Sequence, residues 1–310
     1  MPRIQTSCGT WPFLFPPNPP RSFGEVVHRI KELGFDALEL GAFMSPHPHP
    51  GMDDEQNWPR LVGPWENIGL ACSGVAIGFD GAKLITDPDP AAYMAAFERN
   101  LRFCTAMKAP LMRLDTTEPP NVLGSIHGEK DAPKTVDPKR AIERVVKVWT
   151  RCAKMAADAG IRLAWEPEPG FAINKPGQII EVCAGVTHPA FGVMLDTCHA
   201  HCMAAEGARQ PGERETLIGG AVALIAVLSG KINHVHLIDS NGKLHGNETS
   251  EHPPFGEGVL DFGVIMPILV KACCPEVNTW TVDLCFWPTA WEALEGCKTY
   301  LNGLVARYGQ

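Results

Sequence analysis

Four short stretches end an apolar run in residues that can hold a metal ion or move a proton. They are Glu166 in LAWEPEPG, Asp196 and His199 in GVMLDTCH, His234, His236 and Asp239 in NHVHLID, and Asp283 in WTVDLCFW. A set of carboxylates and imidazoles without thiolate suits one divalent ion of the Mn2+, Mg2+, Co2+ or Zn2+ kind, and its oxygen-rich character puts Mn2+ first. Pro167 and Pro169 forbid an immediate helix and hold the chain extended, which would present Glu166 inward. Glu166 and Glu168 share one face of an extended run, as do His234 and His236, so alternation alone leaves the inward member of each pair open. Singly, each of these acids has a plainer role, since a strand-end carboxylate more often caps a helix or stands in a solvated loop. Glu39 in ALELGAF reads as a polar substrate contact or a cap. His47 and His49 in SPHPHPGMDD read as solvated histidines of a proline-rich loop rather than a metal clamp, and His201 and Cys202 as incidental.

The elements that must position these residues alternate in period. Apolar runs at 4–10, 36–43, 70–79, 111–117, 161–167, 191–198, 232–239 and 279–286 have strand character. Helix-period segments lie between them at 22–33, 90–108, 137–159, 176–185, 214–230, 260–272 and 289–308, with a weaker one near 54–68. Eight strands rich in Val, Ile and Leu, each followed by a helix, call for parallel pairing with covered faces and close into a (β/α)8 TIM barrel, one domain over 1–310. A doubly wound open sheet is the second choice, and no G-x-G-x-x-G follows the first strand. In the barrel the strand C-termini share one rim, which gathers Glu166, Asp196, His236 or His234, and Asp283 from four consecutive strands. Segment 118–136 exceeds a plain turn and reads as a lid over that rim.

Composition bounds the partners. With 310 residues, 45% hydrophobic and 20% charged, and a mean hydropathy near zero, the chain has ample core for a globular protein. A net charge of −8 argues against nucleic acid. No apolar run approaches the roughly 20 residues that span a bilayer, and MPRIQTSCGTW lacks the layout of a signal peptide. Eleven cysteines without a C-x-x-C pair read as reduced core thiols, which suggests a cytoplasmic protein.

The stretches LAWEPEPG, GVMLDTCHAH, INHVHLIDSNGK, HPPFGEGVLDF and WTVDLCFWPTAWEALEGCKTYL, in this order at these strand ends, resemble the xylose isomerase-like TIM barrels, the sugar phosphate isomerase/epimerase superfamily. The similarity is strongest from about 137 to 300 and implies a metal held by Glu166, Asp196, His236 and Asp283. It also implies that His236 is the ligand of its pair and that His199 stands at a substrate or second-metal position. His199, Glu39, His252 and Asp239 are the expected substrate contacts, and Glu166, Asp283 and His199 the expected catalytic groups. The endonuclease branch is disfavoured, because Ser250 stands where its aspartate would precede His252.

The resemblance further implies chemistry on a sugar or cyclitol carbonyl. Removing the proton alpha to the carbonyl gives an enediolate that a divalent ion stabilises, with Glu166 as the first choice of base. Return of the proton to the neighbouring carbon makes an isomer, return to the opposite face an epimer, and loss of a beta group a dehydratase or lyase product. The family's strand-eight glutamate is Asp283 here, drawn back by about 1 Å, which weakens a two-carboxylate shuttle. The expected order is therefore isomerisation, elimination, epimerisation. Homo-oligomers, and hetero-complexes with a partner subunit, belong to the same expectation. A non-catalytic sugar-binding barrel is the other reading, whereas a metal-dependent hydrolase would want more histidines.

Overall fold

Apolar runs covered on both faces become interior strands, and each of the eight expected ones does so. The computed structural model describes residues 3–127, 135–246 and 248–309. Strands β1 (Gln5–Gly9), β2 (Ala37–Ala42), β3 (Ala71–Ile77), β4 (Leu111–Leu114), β5 (Arg162–Trp165), β6 (Phe191–Asp196), β7 (Ile232–Leu237) and β8 (Thr279–Val282) pair in parallel in chain order. β8 returns to β1 from Gln5↔Thr279 to Cys8↔Val282, so the sheet closes into a barrel without an edge.

Helices α1 (Phe23–Glu32), α2 (Gly63–Glu66), α3 (Ala91–Ala106), α4 (Pro138–Asp158), α5 (Pro176–Gly185), α6 (Thr197–Ala204), α7 (Gly220–Val227), α8 (Phe262–Ala272) and α9 (Ala290–Tyr308) cover the outside. Trp149 of α4 illustrates the packing. Its ring lies 5.2 Å from that of Trp165 and 5.7 Å from that of Phe191, and its indole N–H donates to the Tyr93 hydroxyl. Inside the barrel, Leu111, Ala164 and Met194 form a small apolar layer of their own.

Three local expectations are corrected. The segment near 54–68 is mostly a 3-10 stretch, Glu55–Val62, with Pro59 inside it. The expected helix over 214–230 begins only at Gly220, because Gly219 and Gly220 both take left-handed φ values of 97° and 53°. Helix α6 was not expected: β6 runs directly into it, with Asp196 as the N-cap accepting from the His199 N–H at 2.7 Å. In segment 118–136, buried Glu118 ties down the 84–86 stretch by accepting from the N–H groups of Leu84, Ile85 and Thr86, Pro120–Leu123 is a 3-10 turn, and 128–134 lie outside the described residues.

All eleven cysteines are free thiols. Among the described residues no helix is long and apolar enough to cross a membrane.

Candidate active site

Parallel register sets the first layer of the site. Asp196 of β6 lies level with His236 of β7, and His236 with Thr281 of β8, two residues before Asp283. Glu166 follows Trp165 at the end of β5. One ligand atom from each of Glu166, Asp196, His236 and Asp283 lies within 4.8 Å of the others, and all four residues are buried. His236 Nδ1 stands 2.9 Å from Glu166 Oε1 and 3.7 Å from Asp283 Oδ2.

Alternation placed His234 and His236 on the same face, and the barrel separates them by depth. His236 reaches the rim set, whereas His234 lies one layer below, its ring centroid 5.4 Å away. Glu39 joins them from beneath: its carboxylate receives His236 Nε2 at 3.1 Å on both oxygens, His234 Nε2 at 2.7 Å and the Thr281 hydroxyl at 3.0 Å. A carboxylate on the far nitrogen of a ligand histidine fixes the ring and its tautomer. Glu39, expected as a substrate contact or a cap, is fully buried beneath His236 and is not among the residues lining the cavity.

Of these four residues Glu166 and Asp283 line the floor of a cavity of about 590 Å3, where they are joined by Arg113, Glu168, His199 and His252. Arg113, from β4, bridges the two glutamates: its Nε lies 2.5 Å from Glu166 Oε2 and its Nη2 donates to Glu168 Oε1 at 2.5 Å. The Thr249 hydroxyl donates to Glu168 Oε2. His199 Nδ1 pairs with the Ser250 hydroxyl at 2.9 Å, leaving Nε2 3.9 Å from Glu168 Oε2. His252 stands 3.8 Å from Asp196 and 3.5 Å from Asp283. Asp283 Oδ1 accepts from the Trp11 indole N–H at 2.9 Å and from the Cys285 N–H at 2.8 Å.

Negative charge dominates this floor. Burial opposes the charge on Glu166, but Arg113 and His236 outweigh it and lower its carboxyl to about 2. Burial raises Glu168 to about 7, with Arg113 opposing and the Glu166 charge adding to the rise. Asp196 also rises to about 7, through burial and then, against the pull of His252, the repulsion of Asp283 and Glu166. Burial lowers His252, yet Asp283 and Asp196 prevail and raise it to about 9. Burial and the neighbouring His252 hold His199 well below the ordinary histidine range. Asp196 Oδ2 has no hydrogen-bond partner. Three carboxylates crowded around one point, one with an unpaired oxygen, match what a divalent cation neutralises.

Asp239, expected as a substrate contact, accepts from the N–H groups of Ser240, Gly256 and Leu260 and is not among the residues lining the cavity. A Cβ on Gly258 would come 2.3 Å from its carboxylate, which is why the loop after β7 carries glycine there. His47 is not solvated: it is fully buried edge-on against Phe23, with ring centroids 5.1 Å apart. His49 bonds within its own loop, to Ser45 and the Gly51 N–H. Sequence reasoning missed Arg113 and Trp11; an arginine inside the apolar run LMRL was the available signal for the first.

Residues 27–275 match the family of xylose isomerase-like TIM barrels. No curated protein matches the sequence. Among solved structures, a D-psicose 3-epimerase in the presence of D-fructose superposes with a TM-score of 0.71 at 17% identity, covering 99% of this chain and 100% of the other. The IOLI protein with a binding zinc atom gives 0.68 at 15% identity over 98% and 99% of the two chains. The probable 3-DHS dehydratase AsbF from Bacillus anthracis gives 0.66 at 17% identity over 96% and 99%. At these identities the likeness is one of fold.

Proposed function

The chain belongs to the xylose isomerase-like TIM barrel family, and on that premise we propose that it is a divalent-metal-dependent enzyme of the sugar isomerase and epimerase kind. It would take a proton from the carbon beside the carbonyl of a small sugar or cyclitol and pass it on. The observation that carries this reading is the convergence of Glu166, Asp196, His236 and Asp283 on one point, with Glu166 and Asp283 reaching the cavity floor. These residues fit Mn2+, and Mg2+, Co2+ or Zn2+ suits the same donors. When bound, the ion supplies positive charge against the oxygens of an enediolate.

The remaining roles fall to the chain itself. Glu166 has one oxygen against His236 and the other against Arg113, and Asp283 Oδ1 holds two N–H groups. Both are thus ligands first, and the proton-handling role expected of them passes to their neighbours. Glu168 and His199 face the cavity outside the ligand set, with His199 Nε2 directed at Glu168. A base within reach of the substrate carbon is what proton abstraction requires. His252, its ring centroid 4.8 Å from that of His199, would contact substrate beside it. Because Asp283 is one methylene shorter than the glutamate the family resemblance led us to expect there, and its Oδ1 is held by two N–H groups, single-base outcomes lead: isomerisation, then elimination of a beta group as in a dehydratase or lyase, then epimerisation.

Eleven free thiols suit a reducing cytoplasm, where we place the protein as a homo-oligomer, with a partner subunit as the variant and nucleic acid excluded as ligand. Elemental analysis after purification without chelator, followed by incubation with candidate ketoses, aldoses, cyclitols and oxidised glycosides in D2O, tests the reading. Expected are one divalent ion per chain and deuterium beside the carbonyl or a converted product. Metal-loaded protein that shows neither across the panel is a sugar-binding barrel instead.

A further inference from the structure

The cavity is built in two halves. Its floor is charged, whereas its wall carries a separate apolar cluster: Trp11, Ala76 and Cys285, with Phe15, Phe43 and Phe286 packed against them, is not part of the main core. All six of these residues line the cavity. Phe15 lies 5.6 Å from Phe43 and 5.8 Å from Phe286 by ring centroids, and all three rings are only half-buried. Apolar rings grouped away from the core and left open to a cavity are surface that a ligand covers.

Size points the same way. A hexose, with the bulk of about six or seven water molecules at roughly 30 Å3 each, fills about a third of a cavity of about 590 Å3. The ring of Phe286 is also held deliberately. Its backbone takes φ 60°, a left-handed conformation that bulky side chains rarely adopt, and His245 stacks parallel on it at 4.3 Å and 7°. The wall is joined to the floor through Trp11, whose indole N–H is bonded to Asp283.

We propose that this wall binds a planar apolar group carried by the substrate, so that the compound turned over is a sugar or cyclitol bearing a flat apolar substituent, such as an aryl glycoside, rather than a free monosaccharide. The sugar half of this statement rests on the proposed function, whereas the apolar half rests on the wall alone. The polyol end would meet the charged floor while the flat group lies among Phe15, Phe43 and Phe286.

The test titrates three probes into the Mn2+-loaded full-length protein by calorimetry: methyl β-glucoside, 4-methylumbelliferyl β-glucoside and free 4-methylumbelliferone. The aryl glucoside is expected to bind at least tenfold more tightly than the methyl glucoside. F15A and F286A, checked for unchanged metal content, should each bring that ratio below threefold. Equal affinity of the two glucosides, or a ratio that survives both substitutions, overturns the proposal and leaves the sugar reading standing. If umbelliferone binds in a wall-dependent way and neither glucoside does, the wall assignment is supported and the sugar reading falls. Binding of none of the three overturns the proposal.

Discussion

Replacing Glu39 by glutamine perturbs the proposed metal centre without touching a ligand or the cavity. The amide keeps the shape of a side chain that is fully buried, but it removes the charge that faces His236 Nε2 at 3.1 Å on both oxygens and His234 Nε2 at 2.7 Å. Burial opposes ionisation of Glu39, yet His234 and His236 outweigh it and hold the carboxyl well below the usual range, so the glutamate is a firm anion in the native chain. Losing such a partner of a ligand histidine typically weakens metal binding 10- to 100-fold, or by roughly 1.4 to 2.7 kcal/mol. Competition against a fluorescent chelator measures this for Mn2+, with D196N as the reference that should lose more than 100-fold, because it removes a ligand charge outright. An E39Q protein that melts like the wild type and binds Mn2+ within threefold of it would refute the coupling between Glu39 and the centre. If D196N also binds normally, the centre is not where the four residues place it.

Three other outcomes are expected. H236A should abolish metal binding, whereas H199Q should retain most of it and lose turnover at least 100-fold; equal metal loss in both, read by elemental analysis, would move His199 into the ligand set. D283E should bind metal at least tenfold more weakly and gain no epimerase activity, because the longer side chain displaces the oxygen that accepts from Trp11 and the Cys285 N–H; product stereochemistry and metal titration check it, and new epimerase activity would contradict it. His47, lowered by burial to about 4, should make the fold acid-sensitive. Since its folded pKa lies below the unfolded value of about 6.5, the stability it contributes is complete above pH 6.5 and is lost as pH falls through 4, to a total of roughly 3 kcal/mol. Urea midpoints for wild type and H47Q at pH 7 and pH 4 measure it, and identical pH dependence in the two would dismiss the assignment.

How much was legible in the sequence differs by element. Strand identity was written in local composition, because a strand covered on both faces needs an unbroken apolar run, and β6 and β7 read that way from MLD and HVHL alone. Rim residues were legible for the same reason: a charge that ends such a run can only be tolerated where the barrel opens. Depth was not. His234 and His236 are equivalent by alternation, and only the level of β7 against β6 and β8 puts one at the rim and the other beneath it. Partners were not legible either. Glu39 and Asp239 look alike as strand-end acids, yet one is taken up by two histidines 195 and 197 residues away in sequence and the other by the backbone of the loop that follows it. Arg113 reads as an oddity in LMRL until closure of the barrel brings Glu166 and Glu168 beside it. The chemical types at the rim follow from the chain's own order and period. Which of them meet at one point, which lie beneath it and which line the cavity belongs to the tertiary structure, because it depends on distances between strands that no local pattern encodes.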